Sequence, residues 1–242
     1  MNFLSQKIFL LSLSRKFLKK VSKVRGSLPA LSYVTPSSSH FSHTLEAVID
    51  LRKKYVFILN PKVGSRSIAN LLSRFDSTFV IYLSPKLAKN LKDEGFSFYS
   101  FIRDPIDRAL SCYRQKFNTS DLNIKKLHFK LGIRNELSLK EFIEFISIES
   151  KDDLISDKHW ASQEYLLQIN RALKVDEFNL LDFNNFDKEL VKFMQKKYNV
   201  YVEVPHLLAT SQSHNTLSKE DVELLYKRYK SDFRLFERIK NE

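Results

Sequence analysis

The sequence has little of three features that define whole classes of protein: cysteine, glycine and long apolar runs. A single cysteine, Cys112, excludes an intramolecular disulfide and fits a reducing compartment. No apolar run reaches the roughly 18 residues of a membrane span, so no transmembrane helix is expected. Glycine occurs only four times in 242 residues, well below the usual share of about 7%. Each glycine therefore has a good chance of filling a backbone need.

Acidic residues are missing from the first 26 positions, which carry seven Lys/Arg side chains. Residues 1–54 hold ten Lys/Arg against two acids, which leaves only +4 of the net +12 for the other 188 residues. We therefore separate a basic N-terminal segment and linker, 1–44, from a domain at 45–242. Residues 1–25 could form a basic amphipathic helix on an anionic membrane surface, or simply a frayed or docked terminal helix.

From residue 55 onward, apolar runs alternate with helical patterns. The predicted strands are 55–60, 78–83, 96–103 and 178–183; the predicted helices are about 65–75, 84–95, 104–117, 120–170, 185–198 and one opening at Ser218. This alternation is typical of a mostly parallel sheet covered on both faces. The sequence predicts an α/β fold: a single domain with a mostly parallel central sheet flanked by helices.

Four short patterns mark helix starts. Ser84-Pro85 and Asp104-Pro105 each pair a capping residue with a proline at the first helical position. Ser138 with Glu141, and Ser218 with Asp221, have the spacing of a capping box.

The stretch YVFILNPKVGSRSIANLL, residues 55–72, joins the first predicted strand to the first predicted helix. Ligands of such sheets bind beyond the carboxyl ends of the strands, and a helix N-terminus offers free N–H groups and partial positive charge. Gly64 would let the backbone approach a ligand or adopt a positive φ. The neighbouring side chains add hydroxyl donors, at Ser65 and Ser67, and full positive charges, at Lys62 and Arg66, with no acid to bind a cation. The loop therefore indicates an anion such as phosphate or sulfate; the alternative is an ordinary helix start with two solvated cations.

This loop is not a nucleoside-triphosphate P-loop, because its lysine precedes its single glycine. No convincing acid for magnesium follows, which argues against a kinase or an ATPase.

A second anion motif is FSFYSFIRDPIDRALSCYRQKF, residues 96–117. The predicted strand ends on Arg103, and the next helix carries Ser111 two turns in. Two neighbouring strand ends could then hold two anionic groups of one ligand. The alternative is an Arg103–Asp107 salt bridge with Ser111 in solvent.

Together, NPKVGSRSI and FIRDPIDRALSCYRQKF resemble the paired phosphosulfate and 3′-phosphate motifs of sulfotransferases that use PAPS (3′-phosphoadenosine 5′-phosphosulfate). The closest resemblance is to sulfotransferase family 2, the membrane-associated carbohydrate sulfotransferases. Weaker similarities follow in DKHW at 157–160 and in HNTLSKEDVELLYKRYKSDFRLFE at 214–237. The resemblance covers about residues 55–237 and implies the P-loop-like sulfotransferase fold.

The resemblance also implies roles for individual residues. The backbone of Lys62, Val63, Gly64, Ser65, Arg66 and Ser67 would cradle the 5′-phosphosulfate, together with the polar side chains of that range. Lys62 would stabilise charge on the bridging oxygen as the sulfuryl group leaves. Arg103 and Ser111 would hold the 3′-phosphate, and Asn215 or its neighbours would close over the cosubstrate.

The acceptor hydroxyl needs a general base, and the favoured candidate is His159. It could equally be a partly buried histidine packed beside Trp160. Weaker candidates are His128, His206 and His214. Cys112 follows Ser111, beside the anion-binding face of the same predicted helix, and is expected to be a small apolar filler.

The expected function is transfer of the sulfuryl group of PAPS to a hydroxyl on a glycan or glycolipid. No metal is needed if lysine and arginine supply the charge, and no nucleic acid partner is expected. We expect a cytoplasmic enzyme, in which residues 1–25 either contact the inner membrane surface or form a frayed or docked terminal helix. Two rivals are a non-catalytic nucleotide- or phosphate-binding module, and a basic peripheral protein that binds nucleic acid or anionic lipid through its tail.

Overall fold

A five-stranded mixed sheet organises the protein. The computed structural model describes residues 45–118, 122, 124, 125, 136–149, 151–153, 156–168, 172–205 and 216–241. The strands are β1 (Leu45–Asp50), β2 (Tyr55–Ile58), β3 (Thr78–Leu83), β4 (Ser97–Ile102) and β5 (Phe178–Asp182), in the order β3-β1-β2-β4-β5. Strands β2, β4 and β5 are parallel, whereas β1 is antiparallel to both β2 and β3. The predicted α/β fold with one central sheet is confirmed.

Helices flank this sheet. They are α1 (Ser65–Leu72), α2 (Pro85–Asp93), α3 (Pro105–Lys116), α4 (Leu139–Glu144), α5 (Gln163–Leu167), α6 (Phe186–Tyr198), α7 (Lys219–Arg228) and α8 (Lys230–Asn241). A π-helical turn, Phe145–Glu149, extends α4. All four predicted helix starts are confirmed, because the side chains of Ser84, Asp104, Ser138 and Ser218 each accept a backbone N–H of the first turn.

Strand β1 was not predicted from the sequence. It forms a hairpin with β2 through a turn that contains no glycine. The Asp50 carboxylate accepts the backbone N–H groups of Arg52 and Lys53, each over 2.8 Å, and Lys54 takes a positive φ of 49°. An aspartate that bonds its own turn replaces the usual glycine signal, which is why residues 45–54 showed no hairpin pattern.

The two faces of the sheet build two separate apolar cores. On β2, Val56 and Ile58 face one core, while Tyr55 and Phe57 face the other, as the alternation of a strand requires. Helices α2, α5 and α8 contribute to the first core, and α1 and α6 to the second. A third cluster joins α3, α4 and α7 around Trp160 and Tyr229.

The prediction of helix over residues 120–170 is wrong at residues 156–162. These residues form turns rather than helix, because side chains from distant elements hold their backbone carbonyls. The carbonyls of Lys158 and Ala161 accept from Arg108, and that of Trp160 accepts from Tyr229 over 2.7 Å.

Several predicted features lie outside the described residues: residues 1–44, His128, His206, His214 and Asn215. Within the described part of the chain, no helix is both long enough and apolar enough to cross a membrane.

Candidate active site

Three parallel strands end at one edge of the sheet, and the candidate site is built there. Strand β2 leads into the loop 59–64, β4 into Arg103, and β5 into Phe183. Carboxyl ends of parallel strands are the usual ligand-binding edge of an α/β sheet.

The loop between β2 and α1 has an unusual backbone. Both Lys62 and Gly64 have a positive φ of 73°. Gly64 is the N-cap of α1 and provides no side chain to cap the helix. Left-handed residues next to a helix N-terminus turn backbone N–H groups toward one point, which is how anion-binding concavities form.

Gly64 is required here for a second reason. A Cβ at this position would lie 2.8 Å from the ring of Phe186 and 3.3 Å from the ring of Phe183. Both the backbone conformation and the packing therefore require a glycine at position 64.

The other loop residues differ in what they offer a ligand. Val63 is fully buried in the apolar core, so only its backbone can face the site. The Ser65 hydroxyl donates to the Asn60 carbonyl over 2.5 Å, which closes the loop. Arg66 is exposed on α1 and Ser67 is buried.

The ammonium of Lys62 is held inside the protein rather than in solvent. Its Nζ donates to the amide oxygen of Gln115 over 2.7 Å. Burial, together with the positive charges of Arg103, Lys116 and Arg108, lowers the pKa of Lys62 to about 8. A pKa this far below the usual value for lysine, 10.5, is typical of residues in functional sites.

Arg103 clamps this loop. Its Nη1 donates to the carbonyl oxygen of Lys62 over 3.1 Å, and its guanidinium lies 4.8 Å from the centroid of the Phe183 ring. Burial lowers the pKa of Arg103. The two predicted anion motifs therefore meet through a direct contact.

A buried glutamine fixes the backbone of Arg103. The Gln163 amide accepts from the Arg103 N–H over 3.1 Å and donates to its carbonyl over 2.8 Å. Asp232, fully buried on α8, accepts the N–H groups of Gln163 and Glu164 over 2.8 and 2.9 Å. The Asp232 carboxylate thus anchors the start of α5, and with it the residue that holds Arg103.

A family model described as the sulfotransferase family matches residues 46–237. The chain belongs to the sulfotransferase family. No curated protein and no solved structure matches it significantly. The match begins in β1 and ends in α8, so it includes the sheet except for Leu45, and both motifs.

In this sulfotransferase, the predicted base His159 is paired with an acid. Its Nδ1 lies 2.5 Å from Oδ1 of Asp157, which also accepts the His159 backbone N–H over 2.8 Å. With Nδ1 directed at a carboxylate, Nε2 is the nitrogen left to accept a proton. In this pair, His159 has the position of a general base and Asp157 is the group that orients its ring.

Burial lowers the pKa of His159, although Asp157 opposes this. Burial alone would raise the pKa of Asp157, but the charge and hydrogen bonds of His159 prevail and lower it. A neutral histidine beside an ionised carboxylate is the state required of a general base near neutral pH.

Arg108 links the His159 segment to the loop of the sulfotransferase. This arginine is only 2% exposed. It donates to the carbonyls of Pro61 over 3.2 Å, Ala161 over 2.8 Å and Lys158 over 3.2 Å. Lys116, also buried, lies close enough to both Lys62 and His159 to act on the pKa of each.

Two residues of α3 were singled out from the sequence. Ser111 is buried, 5% exposed, rather than in solvent. Cys112 is fully buried in the third apolar cluster, as predicted, and burial raises the pKa of its thiol to about 11. A thiol so far from ionisation is a poor nucleophile.

Sequence reasoning missed Arg108, Gln115, Lys116 and Gln163. Arg108 and Lys116 left a signal, because both lie on the buried face of α3 with Pro105, Ala109 and Cys112. A cation on an apolar stripe rarely goes unpaired, so that spacing could have identified both.

Proposed function

We propose that this sulfotransferase moves the sulfuryl group of PAPS to a hydroxyl of a carbohydrate or glycolipid acceptor. The observation that carries the proposal is the contact of Arg103 with the carbonyl of Lys62. This contact joins the loop 59–64, whose backbone suits one bound anion, to Arg103, whose guanidinium suits a second anion. PAPS has two such groups, a 5′-phosphosulfate and a 3′-phosphate.

The loop supports the first half of that assignment. Lys62 and Gly64 share the left-handed conformation, and the first turn of α1 has no side-chain cap. The backbone from Lys62 to Ser67 would bind the phosphosulfate, with Ser65, Arg66 and Ser67 nearby. Arg103 and Ser111 would bind the 3′-phosphate, and Asn215 would close over the nucleotide.

In the proposed reaction the acceptor oxygen forms a bond to sulfur as the bond from sulfur to the phosphate oxygen breaks. The Lys62 ammonium neutralises charge on that departing oxygen, and the Nε2 of His159 takes the proton of the acceptor hydroxyl. The products are a sulfate ester and PAP (adenosine 3′,5′-bisphosphate), with the proton passed on to solvent. Positioning and charge neutralisation are the principal demands of such a transfer, and lysine and arginine meet them in this proposal.

The test is conversion of PAPS to PAP that depends on an added acceptor. The conversion is monitored by chromatography, and a panel of glycans and glycolipids supplies the candidate acceptors. We expect His159→Ala to lower turnover by about 10²–10⁴-fold, the usual contribution of a general base, with PAP affinity unchanged. Tight PAP binding without turnover on any acceptor would favour the rival nucleotide-binding module.

We further propose that the protein acts in the cytoplasm and contacts the inner membrane surface through residues 1–25. Seven cations and no acid in this region support the proposal, because polybasic segments are attracted to anionic leaflets. Co-sedimentation with phosphatidylserine vesicles should be lost on deletion of residues 1–44. Undiminished binding by the deleted protein would exclude this role for the tail.

A further inference from the structure

Strand β3 lies at an edge of the sheet. Within the described residues it pairs with β1 alone, since the strand order is β3-β1-β2-β4-β5. The backbone N–H of Leu51 donates to the carbonyl of Ser77 over 3.3 Å, which directs every second residue from Ser77 onward toward β1. The residues between them, Val80 included, therefore direct their N–H and C=O groups away from β1.

The composition of β3 is unusual for an edge strand. Its sequence, Thr-Phe-Val-Ile-Tyr-Leu, contains no charged residue and no proline. Edge strands normally carry such residues, because they prevent pairing with other chains. The other edge strand of the described sheet, β5, ends in the charged Asp182. Six neutral residues of high β-propensity make β3 well suited to pairing with a further strand.

The apolar surface of β3 also continues outside the core. Val80 and Tyr82 are 51% and 52% exposed, and residues two apart in a strand share a face of the sheet. Their cross-strand partners on β1 are Val48 and Glu46. Because Val48 is fully buried in the second apolar core, this core borders directly on the exposed strip formed by Val80 and Tyr82.

The charges on either side of β3 are complementary to each other about its centre. Asp76 and Lys86 are both exposed, five residues before and five residues after Ile81. If two β3 strands paired antiparallel about Ile81, Val80 would face Tyr82 of the partner subunit. The same register would bring Asp76 to the end of the pair that holds Lys86 of the partner subunit. A surface that pairs with itself in this way defines a twofold axis, the commonest symmetry of protein dimers.

We propose that β3 is a homodimer interface, at which a second copy of this chain continues the five-stranded sheet. The net charge of +12 opposes contact between copies over most of the surface, whereas β3 is neutral and its flanking charges attract. The pairing of Val80 with Tyr82 of the partner subunit joins a β-branched to an aromatic side chain, and the twofold axis forms this pair twice.

The dimer leaves both candidate active sites open. Strand β3 is parallel to β2, since β1 is antiparallel to both. An antiparallel contact between two β3 strands therefore directs the site edges of the two copies in opposite directions along the sheet. Dimer formation is expected to leave turnover unchanged, so the inference does not depend on the proposed function.

The experiment is sedimentation velocity on the full chain over a concentration series, at about 0.15 M salt to screen long-range repulsion. Val80→Lys places a charge at the centre of the proposed interface. Ile148→Lys is the matched control, because Ile148 is 60% exposed but lies in the π-helical turn that contacts α4 and α7. Circular dichroism melts report whether each variant is folded.

We expect the wild type and Ile148→Lys to form the same dimer. Val80→Lys should weaken the dimer by about tenfold or more, because both copies then carry a cation on the edge that must pair. A wild type that sediments as a monomer at every concentration would overturn the proposal, as would a dimer that a folded Val80→Lys variant leaves intact. A monomer whose Val80 amide is protected from hydrogen exchange would instead show that another segment of the same chain covers β3.

A charge reversal tests the register without any change within β3. Asp76→Lys alone and Lys86→Asp alone should each weaken the dimer by about two- to tenfold, the usual range for two exposed ion pairs. The double variant should regain the wild-type affinity, because its charges are complementary again. A double variant that is no tighter than the single variants would overturn the proposed antiparallel register.

Discussion

Arg103 and Lys62 are 41 residues apart in sequence, yet the Nη1 of Arg103 donates to the main-chain oxygen of Lys62 over 3.1 Å. This bond fixes the carbonyl of Lys62, whose φ of 73° is unusual for a residue with a Cβ. The arginine of one anion motif thereby sets the backbone of the other. The loop can be rigid before any ligand arrives, as an electrostatically preorganised site requires.

The role of Gly64 can be separated into strain and packing. Gly64→Ala should lose about 1–2 kcal/mol of unfolding free energy from its positive φ and about 1–3 kcal/mol more from collision with Phe186. Gly95 also has a positive φ, 81°, but no atom lies within 4 Å of where its Cβ would be. Gly95→Ala should therefore show the strain alone. Urea unfolding of both variants measures the difference, and equal losses would mean that Phe186 is not in contact.

Activity should depend on pH with two limbs. His159 works as a base only when neutral, and its pKa is lowered from the usual 6.5, so activity should fall as the pH drops through a value below 6.5. Lys62 works only when charged, and its pKa is about 8, so activity should also fall as the pH rises through about 8. The pH profile of kcat/KM tests both limbs.

Lys62→Arg distinguishes the source of the alkaline limb. Arginine stays protonated above pH 12, so the variant should lose activity overall but show no decline between about pH 8 and pH 10. A decline near pH 8 that persists in this variant would assign the limb to another group.

The side chain at position 115 should affect the pKa of Lys62. Gln115→Glu places a carboxylate at the position of the amide oxygen, 2.7 Å from Nζ, and should move the alkaline limb of kcat/KM to higher pH. Gln115→Leu removes the acceptor and should move it to lower pH. Shifts of the same sign in both variants would show that the contact does not act on the Lys62 pKa.

Removal of Arg108 should be costly to stability. Arg108→Met would leave the buried carbonyls of Pro61 and Ala161 and the part-buried carbonyl of Lys158 without this donor, at a cost of about 3 kcal/mol or more. Arg74→Met, at the surface, should stay within about 0.5 kcal/mol of the wild type. Chemical unfolding measures both, and a loss below about 1 kcal/mol for Arg108→Met would argue against its three-way contact.

Local signals in the sequence were sufficient for much of the fold. The caps at Ser84, Asp104, Ser138 and Ser218 lie within three residues of the groups they bond. The alternation of strands and helices fixed the fold class, and the loop at Gly64 indicated an anion site. These features depend on residues that are close in sequence, so sequence patterns are sufficient to predict them.

The contacts that assemble the site could not be predicted in this way. Gln163 reaches the Arg103 backbone across 60 residues, and Arg108 reaches Ala161 across 53. The hairpin of β1 was missed because Asp50 and Lys54 replace the usual turn residues. Such pairings depend on tertiary packing, which no local pattern records.

The most direct measurement of the central claim is a thermal-shift titration with PAP, with ATP as the comparison ligand. At a hundredfold excess over Kd, binding should add about 2.7 kcal/mol, which is roughly 5–10 °C in Tm for a chain of this size. We expect this shift in the wild type, a small shift with ATP, and none in Lys62→Ala or Arg103→Ala. No shift in the folded wild type, or an undiminished shift in both variants, would contradict the assignment of this site to PAPS.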